Sequence, residues 1–129
     1  MIVGLGTDVV GIERIRQVYL RQGQRFLDRV YTPEEQAYCL QAQNPAERLA
    51  ARWAAKEAAM KALGTGWAKG VDFRHIAVLA TGGAPQLHFT KVAAERATSL
   101  QATRFHLSLS HSDGVALATV ILEALTKDS

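Results

Sequence analysis

Two carboxylates and a lysine are spaced in this chain in a way that suits metal-assisted phosphate chemistry. The run Trp53-Ala54-Ala55-Lys56-Glu57-Ala58-Ala59-Met60-Lys61 places one acid between two lysines in an alanine-rich stretch, and Gly64-Thr65-Gly66 follows. Successive residues of a helix lie about 100° apart. Trp53, Glu57 and Lys61 therefore fall nearly in one line, while Ala51, Ala55, Ala58, Ala59 and Ala62 form a separate small-residue stripe. Asp8, near the end of the first apolar segment, supplies a second carboxylate from elsewhere. Two carboxylates with a bound phosphate are a reasonable oxygen set for Mg²⁺, which keeps several waters and seldom uses an all-protein cage. Each part also has a plainer explanation. Glu57 and Lys61 make an ordinary i, i+4 pair of a solvated helix, worth about 0.2–0.5 kcal/mol, and an acid after an apolar strand near glycines is often a turn former.

The elements that must position these residues are readable from periodicity. Residues Ile2 to Val10 predict a buried strand with Asp8 near its C-terminal end. From Ile12 to Val30 the spacing turns helical, with Ile15, Val18, Tyr19, Phe26 and Leu27 on one side and a break near Gly23. Arg14, Arg21, Arg25 and Arg29 fall largely on the other side, a basic exposed face. Thr32-Pro33-Glu34-Glu35 reads as an N-cap, a proline at the first helical position and acids in the first turn. Asn44-Pro45-Ala46-Glu47 repeats that signature and opens a helix to about Leu63, stopped by Gly64.

Thr65 to Asp72 form a loop, Ile76 to Ala80 and Gln86 to Phe89 two strands around Gly82-Gly83, and Lys91 to Gln101 a helix. Apolar and polar residues alternate through Phe105-His106-Leu107-Ser108-Leu109-Ser110, which puts His106, Ser108 and Ser110 on a polar face that His111 ends. Ser112-Asp113-Gly114 turns the chain into a last strand, Val115 to Leu122, and Thr126 to Ser129 are expected to fray. This order gives an α+β fold, not the regular alternation of a doubly wound sheet.

The 129 residues, 48% hydrophobic and 21% charged, suit one domain over 1–129 and are too apolar for a disordered chain. Cys39, the single cysteine, excludes an intramolecular disulfide and a multi-cysteine metal cluster, so a reducing, cytoplasmic setting is expected. The first residues lack a basic region and their apolar run is too short for a signal peptide, so neither secretion nor membrane insertion is expected. Fifteen Lys and Arg against twelve Asp and Glu give +3, which does not by itself call for nucleic acid. His75, His88 and His106 are too scattered for a zinc site.

Gly6-Thr7-Asp8-Val9-Val10 with Ile12, Arg14 and Ile15, then Arg52 through Gly66, closely resembles the small bacterial holo-[acyl-carrier-protein] synthases of the 4′-phosphopantetheinyl transferase family. The resemblance covers nearly the whole chain, including the Thr32-Pro33-Glu34-Glu35 turn and the strand end at Ser108 to His111. Trp53 stands where many members have phenylalanine.

The resemblance implies transfer of phosphopantetheine from coenzyme A to a serine of apo-acyl carrier protein, releasing adenosine 3′,5′-bisphosphate and activating the carrier for fatty acid biosynthesis. It implies Mg²⁺ on Asp8 and Glu57, with Glu57 taking the serine proton directly or through water, and Lys61 stabilising or protonating the leaving phosphate. Lys56, about 100° round the helix, goes to a different phosphate or to a structural contact. Arg52, Gly64, Thr65, Gly66 and His111 are expected at coenzyme A, although the glycines equally suit a helix C-cap and His111 a hairpin surface. Arg14, Arg21 and Arg25 would receive the acidic carrier protein. A homotrimer with sites between subunits is the family's common assembly. The competing class is a non-catalytic basic interaction module, which would leave Asp8 and Glu57 without a joint role.

Overall fold

Glycine determines how closely the two central elements approach. A Cβ on Gly6 would stand 1.9 Å from the Ala58 carbonyl oxygen, and one on Gly4 2.3 Å from that of Ala62. The computed structural model, which describes residues 1–66 and 68–125, therefore lays strand β1 (Ile2–Gly11) directly on helix α4 (Pro45–Leu63). The expected fraying of Thr126 to Ser129 lies outside the described residues.

The expected first helix is two: α1 (Ile12–Gln22) and α2 (Gln24–Val30). Gly23 separates them at φ 56°, in the left-handed region that only glycine enters without strain. Helix α3 (Pro33–Leu40) opens on the Thr32 cap as expected, and Glu35 completes it by reaching back to the Thr32 amide. Asn44 behaves differently. It stands at the N-cap of α4 but its side chain makes no cap bond, because its Oδ1 accepts from the Arg16 guanidinium at 3.1 Å.

A 3-10 turn, Phe73–His75, was not expected; Asp72 caps it and leads into β2 (Ile76–Leu79). That strand pairs with β3 (Gln86–Phe89), and α5 (Lys91–Ser99) ends two residues before the expected Gln101. Strands β4 (Arg104–Ser112) and β5 (Val115–Glu123) form the expected hairpin, turning at Asp113-Gly114 with both residues at positive φ.

The main sheet has the order β1-β5-β4, antiparallel throughout, so the first strand pairs with the last. Its inner face, carrying Val10, Ala116, Ala118, Val120 and Leu122, packs on α4. Mixed helix and antiparallel sheet around one long helix is the expected α+β arrangement. Among the described residues no helix is long and apolar enough to cross a membrane.

Candidate active site

Helix α4 is sheathed from its second turn onward. From Leu49 to Leu63 every residue is buried except Trp53, Glu57 and Lys61. The line foreseen from helical spacing is therefore the least buried strip of this stretch of helix, with the alanine stripe turned inward. A solvated helix face would look different, with a whole side exposed.

Strand β1 meets that opening. Gly4, Gly6, Asp8 and Val10 share one face by alternation, and the glycines lie against α4, so Asp8 points to the helix. Asp8 and Glu57 line one cleft of about 310 Å³ with Val9, Val10, Arg14 and Trp53. Lys61 reaches the same Asp8 from α4. Its Nζ donates to the Thr7 carbonyl at 2.9 Å and to Asp8 Oδ1 at 3.2 Å. Among the described residues no three of His, Cys, Asp and Glu gather around one point. A cation here would rest on the two carboxylates and take its remaining oxygens from phosphate and water, which suits Mg²⁺. The hard oxygen pair, and the ammonium already drawn to Asp8, fit such an ion.

Lys56 lies elsewhere. It is fully buried, paired with Glu35 at 2.7 Å, and donates to the carbonyls of Phe73 and Ile76 at 3.1 and 2.5 Å. Burial pushes its ammonium below the ordinary lysine value, and the Glu35 carboxylate opposes that shift. Its three hydrogens are spent on the protein, so of the two roles expected for it the structural contact is the one observed and a phosphate contact is excluded.

Arg52 and His111 do meet, at a second cleft. There Arg52, His111, Arg48, Tyr38 and Leu109 line one wall system. His111 is opposite Ala116 across the hairpin, so it belongs to the helix-facing side of β4 and not to the polar face it was expected to end. The strand alternation explains the correction: His111 has the parity of Leu107 and Leu109. Tyr38 and Arg48 join this cleft although neither was expected at a site. The two guanidiniums lie 4.1 and 4.4 Å from the Tyr38 ring centre, and Arg52, although buried, has an Nε with no hydrogen-bond partner among the described residues. The i, i+4 spacing of Arg48 and Arg52 was the available signal.

Gly64 ends α4 at φ 76°, and the amides of Gly64, Thr65 and Gly66 donate back to the Lys61 and Met60 carbonyls. These bonds make the helix cap, the plainer of the two readings of this segment. Arg14, Arg21 and Arg25 are exposed, but the Gly23 break divides them: Arg14 and Arg21 are on α1, Arg25 on α2. Arg14 also borders the Asp8 cleft.

Residues 4–120 match the family model of the 4′-phosphopantetheinyl transferase superfamily. The chain is 50% identical over 124 residues to the holo-[acyl-carrier-protein] synthase of Koribacter versatilis, covering 95% of this chain and 99% of that one. Among solved structures it resembles the holo-[acyl-carrier-protein] synthase of Neisseria meningitidis, with a TM-score of 0.86 and 38% identity over 95% of this chain and 99% of the other. It also resembles the Helicobacter pylori synthase in complex with coenzyme A, with a TM-score of 0.80 and 30% identity over 92% and 99% of the two chains. Fold, motif geometry and full-length similarity agree: the chain belongs to the 4′-phosphopantetheinyl transferase superfamily, among its holo-[acyl-carrier-protein] synthases.

Proposed function

We propose that the chain transfers 4′-phosphopantetheine from coenzyme A to a serine of apo-acyl carrier protein, releasing adenosine 3′,5′-bisphosphate. The observation that carries this reading is the convergence at Asp8, which lines one cleft with Glu57 and is paired with Lys61, one turn further along α4. A basic interaction module would have no use for that convergence.

In the transfer, the serine oxygen bonds to the phosphorus that bears the pantetheine arm, and the bond from that phosphorus to the bridging oxygen of the nucleotide breaks. Asp8 and Glu57 would hold Mg²⁺, which when bound neutralises charge growing on the leaving phosphate. Glu57 takes the serine proton, directly or through water. Lys61 turns its ammonium to the leaving phosphate and stabilises or protonates it. Arg52 and His111 hold a coenzyme A phosphate; a buried guanidinium with an unused donor suits an anion. Backbone at Gly64, Thr65 and Gly66 lies near the nucleotide. Arg14, Arg21 and Arg25 orient the acidic carrier.

The same reading includes one transferase domain over 1–129, a role in fatty acid biosynthesis and a cytoplasmic setting, which the buried free thiol of Cys39 suits. It includes a homotrimer with sites between subunits. The outer sheet face supports an assembly, since Leu5, Val9, Val115 and Leu117 stand 64, 59, 40 and 42% exposed on adjacent strands.

The test is intact mass after incubation with coenzyme A, Mg²⁺ and an apo-carrier protein. One added phosphopantetheine is expected, lost in Glu57→Gln. No mass gain with any apo-carrier would overturn the reading.

A further inference from the structure

We infer that the buried Lys56–Glu35 pair is a positioning device that fixes the rotation of α4 and so directs Glu57 and Trp53 into the Asp8 cleft. The inference rests on the proposed role of Glu57.

The alanine stripe lets α4 approach its neighbours closely but keys its rotation weakly, because methyl groups offer little relief for interlocking. A helix turned by a fraction of a residue would carry Glu57 away from Asp8 while changing the contacts of those methyl groups little. The ion pair supplies the missing directionality. Lys56 Nζ is held by three acceptors, Glu35 Oε1, the Phe73 carbonyl and the Ile76 carbonyl. Glu35 is equally saturated: Oε1 also accepts from the Thr32 amide at 2.8 Å, and Oε2 from the Val78 amide at 2.7 Å. One pair thus ties α4 to the start of α3, the 3-10 turn and β2.

A second contact links this clamp to the cleft. Trp53, one turn before Lys56, stacks on Phe73 with ring centres 4.8 Å apart, and Phe73 is the residue whose carbonyl Lys56 holds. The 3-10 turn is therefore gripped by its backbone through Lys56 and by its ring through a wall of the cleft. Glu57, adjacent to Lys56, inherits the orientation. Stability alone gives no reason for two charges here, since neutral residues of similar volume often serve as well in a core.

The variant Glu35→Gln/Lys56→Met removes both charges together, so neither is left buried alone. Its folding is followed by urea denaturation, its kcat and its KM for coenzyme A by intact mass, and its Mn²⁺ affinity by electron paramagnetic resonance without substrate. We expect cooperative unfolding, an unchanged KM, and losses of about 10- to 100-fold in both kcat and Mn²⁺ affinity. Wild-type kcat and Mn²⁺ affinity in the folded double variant would overturn the inference. If the double variant does not fold, Glu35→Asp, which keeps the charges and draws the tether in by one methylene, decides on the same two readouts. A wild-type chain that transfers nothing would strike the proposed function, while the Mn²⁺ comparison would still decide the clamp; a wild type that binds no Mn²⁺ overturns it.

Discussion

The Lys61 ammonium lies 3.2 Å from Asp8 Oδ1, so strand β1 and helix α4 are joined at the site by a positive charge. The lysine side chain is 53% exposed and Asp8 17%, which leaves the ammonium free to swing to a phosphate while Asp8 stays in place. Replacement by Lys61→Met is expected to lower kcat about 100-fold, the usual loss for one charge-stabilising donor. Unfolding should hardly change, because an exposed pair contributes about 0–1 kcal/mol. Steady-state transfer assays and urea titration separate the two effects.

Gly6 should tolerate no side chain. With a Cβ 1.9 Å from the Ala58 carbonyl oxygen, Gly6→Ala must lift β1 from α4 and move Asp8 away from Glu57. We expect at least about 1–3 kcal/mol of destabilisation, as for other overpacked cores, together with loss of transfer in whatever folded protein remains. Wild-type stability by urea titration would contradict the close approach.

Arg52 separates binding from chemistry. Arg52→Gln is expected to raise the KM for coenzyme A about 10- to 100-fold, the equivalent of one charge-assisted hydrogen bond, with kcat within about twofold. A fall in kcat at unchanged KM would place Arg52 at the reacting phosphorus instead.

The arginines of the first two helices should act on the carrier protein. Arg21→Glu is expected to raise the KM for carrier protein and to flatten its dependence on ionic strength, leaving the KM for coenzyme A intact. Equal damage to both constants would remove Arg21 from docking.

Cys39 gives an alkaline signature. Burial raises its thiol to about 11 from an ordinary 9.0. Between those values the folded chain binds more protons than the unfolded one, so this group's contribution to stability is full below pH 9 and falls as pH rises toward 11. Tyr31, raised by the same burial, falls in the same direction at higher pH, and Lys56, lowered by burial, acts oppositely. Urea titrations of wild type and Cys39→Ala across pH 9 to 11 should diverge, the wild type losing up to about 1.4 kcal/mol more per pH unit. Cys39 should also resist thiol reagents at pH 8 until the chain unfolds.

What was legible in advance shares a cause. The cap at Thr32, the stop at Gly64, the Asp113-Gly114 turn and the line Trp53, Glu57, Lys61 are each dictated by residues a few places apart, through backbone angles or helical pitch. What was not legible also shares one. Asn44 has the right type for a cap, yet Arg16, 28 residues away, takes its oxygen. His111 follows the polar face in sequence, yet its register opposite Ala116 turns it toward α4.

Local order along the chain was enough to specify the elements, the helix stripe and the family motif. Helical pitch set Lys56 about 100° away from the line of Glu57 and Lys61, but it left open whether Lys56 meets a phosphate or the protein, since that depends on what lies opposite it. That was decided when β1 paired with β5 and settled its glycines on α4, bringing Asp8 to Lys61, while α3 and the 3-10 turn closed over Lys56. Burial is a property of the assembled layers, and it enclosed one ammonium with Glu35 and left the other exposed beside Asp8.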